Sequence, residues 1–255
     1  MATTLLLSDQ TASRRSVLQG QVLPVTDMDR ELEERLFQLF SRYYLHVDRS
    51  QFEHDQAEKD WVLLLSDGHG QVQGFTTLKR YEVEVQDRRL QVVFSGNTII
   101  DRAYWGSQEL VATWCRFMAR LLKDNPALPL YWFLISSGYR TYLYLPLFLH
   151  RFYPRFSCPT PPFESQLIDS LGKSKFPDEY ADGVVRGSTP RECLVPELAA
   201  PDAGNRDNPH VRFFLERNPG AWRGDELVCV AEFSLENTRR LAHTMARQVL
   251  IEQEF

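Results

Sequence analysis

Val92 to Trp114 reads VVFSGNTIIDRAYWGSQELVATW, and the fold turns on this stretch. An apolar, strand-like run reaches Ser95-Gly96-Asn97-Thr98, resumes through Ile99 and Ile100, and meets Arg102-Ala103-Tyr104-Trp105-Gly106-Ser107 at the mouth of a helix. Glycine inside a strand weakens it, so Gly96 signals a bulge or a close approach. A strand that hands polar groups and a glycine to a helix start can hold an anion, because free backbone N–H groups and the positive helix end converge there. Ser107 acting as a plain N-cap explains the same residues without any ligand.

Downstream, SQELVATWCRFMARLLKDN places Leu110, Val111, Trp114, Phe117, Met118 and Leu121 on one helical face. LPLYWFLISS is nearly all apolar and reads as a buried strand. Upstream, Trp61–Leu65, Gln71–Val85 and Leu90–Ile100 are three strands joined by turns at Asp67-Gly68-His69-Gly70 and at Gln86-Asp87-Arg88-Arg89, an antiparallel meander. Gly74 marks a bulge or close backbone approach in the middle strand. Before the meander come a short strand in GQVLPVTD and a helix capped by Thr26 or Asp27, with Leu32, Leu36, Leu39, Phe40 and Tyr43 on its apolar face.

After Gly138, YRTYLYLPLFLHRFYPRF is expected to be a helix kinked at Pro146. From Cys158 to Asn208 the composition shifts to Pro, Ser, Gly and charge, an excursion with one short helix near Glu164–Leu171. Order returns with NPHVRFFLERN, the strand ELVCVAEFS and a closing helix capped by Ser234. Residues 1–19 are read as an extension, and 20–255 as a single domain with an insertion at about 158–208.

The totals narrow the function. With 255 residues, 43% of them hydrophobic and 25% charged, the chain can bury one large core. A net charge of −5 argues against a duplex nucleic-acid partner. Cys115, Cys158, Cys193 and Cys229 show no metal-ligand spacing, so no metal site is expected, and Cys115 and Cys229 read as buried thiols. Three leucines near the N-terminus are too few for a signal-peptide core, and no run approaches the ~18 apolar residues of a membrane span. The expectation is a soluble cytoplasmic protein. There is no GxSxG, HExxH, P-loop or GxGxxG.

The element order, strand, helix, three-strand meander, helix, strand, helix, resembles the GNAT (GCN5-related) N-acyltransferase fold over roughly Gly20 to Phe156, with Glu226–Ser234 as a late strand. That resemblance implies a mixed α/β domain, a mostly antiparallel central sheet flanked by helices. In the family the donor loop reads [Q/R]-x-x-G-x-[G/A] at a helix start, where bare amides hold the pyrophosphate of coenzyme A. Arg102, Gly106 and Ser107 stand in the corresponding place, but the spacing is R-x-x-x-G-S, one residue longer, and Trp105 is bulky where the family keeps small residues. Ser95, Gly96, Asn97 and Thr98 complete the donor-binding set the resemblance implies.

By the same resemblance, the leaving-group acid is a tyrosine after the fifth strand. Tyr139, Tyr142 and Tyr144 lie there, Tyr142 being the first choice and Tyr144 the second. Glu82 on the long strand is the candidate base, while His46, Ser136 and Ser137 border the acceptor side. Aromatics make up 12% of the chain, which suggests a wide apolar cavity for a fatty or aromatic acyl group.

The implied activity is N-acyl transfer to a small-molecule amine by direct attack in a ternary complex. Acyl-CoA or an acyl carrier protein would be the co-substrate, and no cofactor would be tightly bound. The alternatives are an inactive binding module of the same fold and a transferase that takes aminoacyl-tRNA as donor. A homodimer is compatible with the excursion acting as an arm.

Overall fold

The computed structural model describes residues 17–187 and 192–251. Most of the 1–19 extension lies outside the described residues. In chain order the elements are β1 (Gln19–Pro24), α1 (Arg30–Ser41), β2 (Tyr44–Leu45), α2 (Arg49–Ala57), β3 (Trp61–Ser66), β4 (Val72–Val85), β5 (Arg88–Ile100), α3 (Glu109–Asp124), β6 (Leu130–Ser136), α4 (Tyr139–Tyr142) and α5 (Tyr144–Phe148). They continue with α6 (Pro162–Lys175), β7 (Tyr180–Ala181), β8 (Val184–Val185), β9 (Cys193–Leu194), α7 (Pro196–Ala199), α8 (Pro209–Arg217), β10 (Glu226–Glu232) and α9 (Arg240–Ile251).

Eight strands form one sheet in the order β1-β3-β4-β5-β6-β10-β8-β7. Its neighbours are antiparallel except β5 and β6, which run parallel. This is the GNAT-like architecture: a mixed, mostly antiparallel sheet with helices on both faces. Side-chain alternation assigns the faces. Val93, Trp132 and Leu134 pack into one core with α3 and α9. Val92, Phe94, Tyr131 and Phe133 face the other way, into a core completed by α6. Phe52 of α2 and Leu36, Leu39 and Phe40 of α1 cover Val62, Leu64, Phe75 and Ile99 on that second side.

Several local expectations change. The α1 cap is Asp29, whose carboxylate accepts from Leu32 N at 2.8 Å, not Thr26 or Asp27. Pro146 does not kink a long helix: the segment breaks into α4 and α5 at Leu143. Ser234 caps only a short 3-10 turn, Leu235–Asn237, and α9 begins at Arg240. Gly74 is a close approach, since a Cβ there would sit 2.9 Å from the Ile99 carbonyl oxygen.

The excursion is built into the domain and is not a loose arm. Its helix α6 runs from Pro162 to Lys175, and its hairpin β7–β8 pairs onto β10. At Gly172 a Cβ would fall 2.2 Å from the Tyr180 ring, so the bare glycine lets that ring seat against α6. All four cysteines are free, with Cys115, Cys193 and Cys229 buried. Among the described residues no helix is long and apolar enough to cross a membrane, and no group of His, Cys, Asp or Glu could hold a metal ion.

Candidate active site

The site begins where two strands part. β5 and β6 are in register from Gln91 opposite Leu130 to Ser95 opposite Leu134, and no further. Beyond that point β5 stays with β4 and β6 stays with β10, where Leu227 faces Ser136. At the parting β5 bulges. Between the Thr77–Gly96 and Phe75–Ile99 pairs it runs two residues, Asn97 and Thr98, against the single Thr76. Asn97 takes the left-handed φ of 49°, a conformation asparagine tolerates better than most residues.

Hydrogen bonds fix the bulge. The Gly96 carbonyl accepts from the Thr76 and Thr77 hydroxyls at 3.2 and 3.1 Å. The Thr76 and Thr98 hydroxyls lie 2.8 Å apart. Just before the gap, the Trp132 indole N–H donates to Ser95 Oγ at 2.9 Å.

Two cavities meet at the parting from opposite faces of the sheet. The larger, about 580 Å³, lies on the α1, α2 and α6 side and includes Phe94 to Thr98, Ile135, Ser137 and His46 in its walls. Its carboxylates are Asp48, Asp55, Glu58, Glu179, Glu192 and Glu226, and its one lysine among the described residues is Lys175. The smaller, about 30 Å³, lies between α3 and the sheet, walled by Leu110, Val111, Trp114, Trp132, Tyr144 and Phe148 among others. Ser95, Thr98 and Thr141 border both cavities.

On the α3 side of the sheet the apolar cavity is narrow. The aromatics fill the core: Trp114 lies against Trp132 with ring centroids 4.4 Å apart and against Phe233 at 5.5 Å. They narrow the apolar space there to about 30 Å³. The spacious cavity is the polar one.

The predicted residues divide accordingly. Ser95, Gly96, Asn97, Thr98, Ser137 and His46 all border the large cavity. Ser137 Oγ lies 3.1 Å from the Tyr44 hydroxyl, and Tyr44 is stacked on Phe40 with its ionisation pushed up by burial. Ser136 borders neither cavity; its buried Oγ has no hydrogen-bond partner among the described residues, and its carbonyl accepts from Asn218 Nδ2 at 3.5 Å.

Of the tyrosines, Tyr144 borders the small cavity, stacked on Phe148, with burial pushing its pKa up to about 12. Tyr142, the first choice from sequence, borders neither cavity. Its hydroxyl is donated to the Pro154 carbonyl at 2.9 Å, so the same ring that continues α4 serves the packing around Phe152 and Phe214. Glu82 also stands apart. It is exposed opposite Gln91, at the end of the β5–β6 pairing away from the gap, and forms an ion pair with Arg89 at 2.6 Å.

At the donor loop, Arg102 opens a 3-10 turn and Gly106 takes φ 89°, where a side chain would be strained although nothing crowds it. Ser107 Oγ accepts from Glu109 N at 3.3 Å, the capping role read from the sequence, although Gln108 occupies the cap position. Trp105 is anchored by its indole N–H to the Ile100 carbonyl at 2.9 Å. The Arg140 guanidinium lies 4.6 Å from its ring centre and that of Arg102 lies 5.6 Å away. The bulky residue thus gathers two guanidinium groups at the start of α3.

Sequence reasoning missed Asp55. Its Oδ2 accepts from Asn97 Nδ2 at 2.8 Å, while Oδ1 lies 2.5 Å from the ammonium of Lys59, whose side chain is fully buried. The segment RSQFEHDQA carries Phe52 as its one strongly apolar residue, so α2 gave no apolar stripe to announce it.

Comparison of the sequence with protein-family models gives no match, nor does comparison with curated proteins. Solved structures give partial likenesses. A conserved Enterococcus faecalis V583 protein described as a probable N-acyltransferase is 14% identical, with 52% of this chain covering 33% of that one at a TM-score of 0.39. Escherichia coli ElaA is 15% identical over 57% of this chain and 95% of that one, with a TM-score of 0.37. The GNAT-family N-acetyltransferase YhbS from Escherichia coli, in complex with CoA, is 19% identical over 48% and 64%, at 0.34. The chain thus spans a third of the first of these and just under two thirds of YhbS. The mixed sheet of the chain itself, with β5 and β6 parallel up to Ser95, agrees with the element order read from the sequence.

Proposed function

We propose that the protein is an N-acyltransferase that moves a short acyl group from acyl-CoA to a cationic amine, by direct attack through the gap between β5 and β6. One observation carries the reading: two cavities of unlike chemistry reach the same gap from opposite faces, sharing Ser95, Thr98 and Thr141. Reactants held on the two sides of such a gap meet as if the reaction were unimolecular.

The donor enters on the α3 side. Its phosphates lie against Arg102, Arg140 and the start of α3 at Gly106-Ser107, and its acyl group lies in the narrow apolar cavity. The amine enters the large cavity, where carboxylates favour a positive charge. The amine nitrogen attacks the thioester carbonyl carbon, the C–N bond forms, and the oxyanion is steadied by the strand backbone at the bulge. As the C–S bond breaks, Tyr144 gives its proton to the departing thiolate. A phenol with a raised pKa is still protonated when that proton is needed. The bound ammonium gives up one proton to solvent through the carboxylates of the large cavity before its nitrogen attacks. The second passes to His46 once the C–N bond has formed, and Tyr144 recovers its proton from solvent.

A donor series tests the acyl side. Acetyl- and propionyl-CoA are expected to react, and chains of six carbons or more to fall by about tenfold or further, one or two misfitting methylenes being worth 1–3 kcal/mol. A preference for long-chain donors would overturn the short-acyl assignment. The binding-module reading draws on Trp105 occupying the donor loop; calorimetric titration with CoA separates the two, since that reading requires no CoA binding.

A further inference from the structure

The structure assigns Asp55 as a positioning residue that locks the acceptor-side helix α2 to the bulge of β5, through Asn97 on one oxygen and the buried Lys59 on the other. This rests on the transferase reading above and adds to it the device that holds the gap in shape.

The bulge needs such a device. Asn97 is held at a left-handed φ of 49° inside a strand, and Asn97 and Thr98 lack a β6 partner to hold them, because the β5–β6 register ends at Ser95. The Asn97 side chain reaches across to α2, where Asp55 Oδ2 accepts at 2.8 Å. Asp55 is fixed in turn. The Lys59 ammonium lies 2.5 Å from its Oδ1 and donates to the Asp55 backbone carbonyl at 2.7 Å.

Lys59 is not a surface lysine paired by chance. Its side chain has no solvent exposure, burial pushes its pKa down, and its ammonium lies 5.6 Å from the centre of the Phe94 ring, which walls the large cavity. Such a buried charge stays in place only with its counter-ion, so Lys59 holds the carboxylate as firmly as the carboxylate holds it. Asp55 has acceptor sites enough to serve both neighbours.

Gln51, Phe52, His54 and Glu58, on α2 or just after it, also line the large cavity. The Asp55–Asn97 bond therefore sets the acceptor wall in register with the gap. It is a link between the two substrates' walls, made by a residue that itself borders the acceptor cavity.

The test begins with Asn97→Gly, since glycine keeps the left-handed φ and removes only the tether. With acetyl-CoA and a diamine such as putrescine, kcat should fall about tenfold through misplacement of the bulge, with the KM for acetyl-CoA unchanged. Asn97→Asp alone should lose more, because it sets two carboxylates face to face. The exchange Asp55→Asn with Asn97→Asp, made together with Lys59→Met so that no buried charge loses its counter-ion, reverses donor and acceptor across the same contact and should recover most of the loss. Amide NMR shifts of Gly96, Asn97 and Thr98 in the free protein should move in Asn97→Gly and return in the exchange. Unmoved shifts, or failure of the exchange to restore them, would overturn the tether. If the shifts behave as expected and no donor–amine pair reacts, the transferase reading fails and the tether stands.

Discussion

Tyr144→Phe is expected to lower kcat for acyl transfer by about a hundredfold, the lower range for losing a positioned general acid, with donor KM little changed and the fold intact. The ring borders the small cavity and stacks on Phe148, so phenylalanine preserves the packing and removes only the proton. Burial pushes the tyrosine's pKa up to about 12. The acid form therefore persists as pH rises, and Tyr144 imposes no alkaline fall in kcat below about pH 11. A pH–rate profile of the wild type checks this: a Tyr144-dependent fall between pH 8 and 9 would contradict it. The companion Tyr142→Phe should leave turnover near wild type and cost about 1 kcal/mol of stability, since that hydroxyl is occupied by the Pro154 carbonyl. If Tyr144→Phe turns over at the wild-type rate, the acid is some other group.

The largest expected loss of stability is at Phe133. This residue has no solvent exposure, lies on β6 between β5 and β10, and packs its ring 5.1 Å from Phe94. Phe133→Ala should destabilise by about 3–5 kcal/mol, the range for emptying a buried aromatic site, lowering Tm by roughly 10 °C in a chain of this size. The effect should also reach the site. Phe94 walls the large cavity, and the ammonium groups of Lys175 and Lys59 lie 4.6 and 5.6 Å from its ring centre. A Phe94 free to tilt into the vacated space takes that wall with it, so acceptor KM should rise in the molecules that remain folded. Thermal unfolding and steady-state kinetics on the same preparation measure both; a Tm within 2 °C of wild type would show that β6 tolerates the cavity.

How much of this was legible depended on local pattern. The meander, α3 and β6 were readable because each carries a full period of apolar residues: α3 buries Leu110, Val111, Trp114, Phe117, Met118 and Leu121 as its spacing requires. The strand stretch 95–98 was readable as unusual because a central strand seldom spells Ser-Gly-Asn-Thr, and it does border both cavities. Tyr142 and Tyr144 could not be told apart by spacing. Only Leu143 lies between them, but the break there turns one hydroxyl to Pro154 and leaves the other beside the gap. Asp55 was hidden because Asn97 lies 42 residues away, a separation no local pattern encodes, and its i,i+4 spacing to Lys59 is common on helices and does not announce a buried pair. One signal was present and unused. Asp182-Gly183 is a two-residue hairpin turn, both residues at positive φ, joining β7 to β8 inside the stretch read as irregular.

That hairpin has a consequence for how the molecule behaves among its own copies. The segment LVCVAEF in and after β10 is apolar and β-prone, the kind of strand that recruits neighbours when an edge lies open. β8 pairs with β10 at Glu226 and Leu227, the Tyr153 backbone bridges to Val230, and the outermost strand of the sheet becomes β7, two residues long. A brief edge is a poor template for another chain. The segment that looked like an appendage is a guard on colloidal stability, keeping the most self-adhesive strand of the late sheet out of reach.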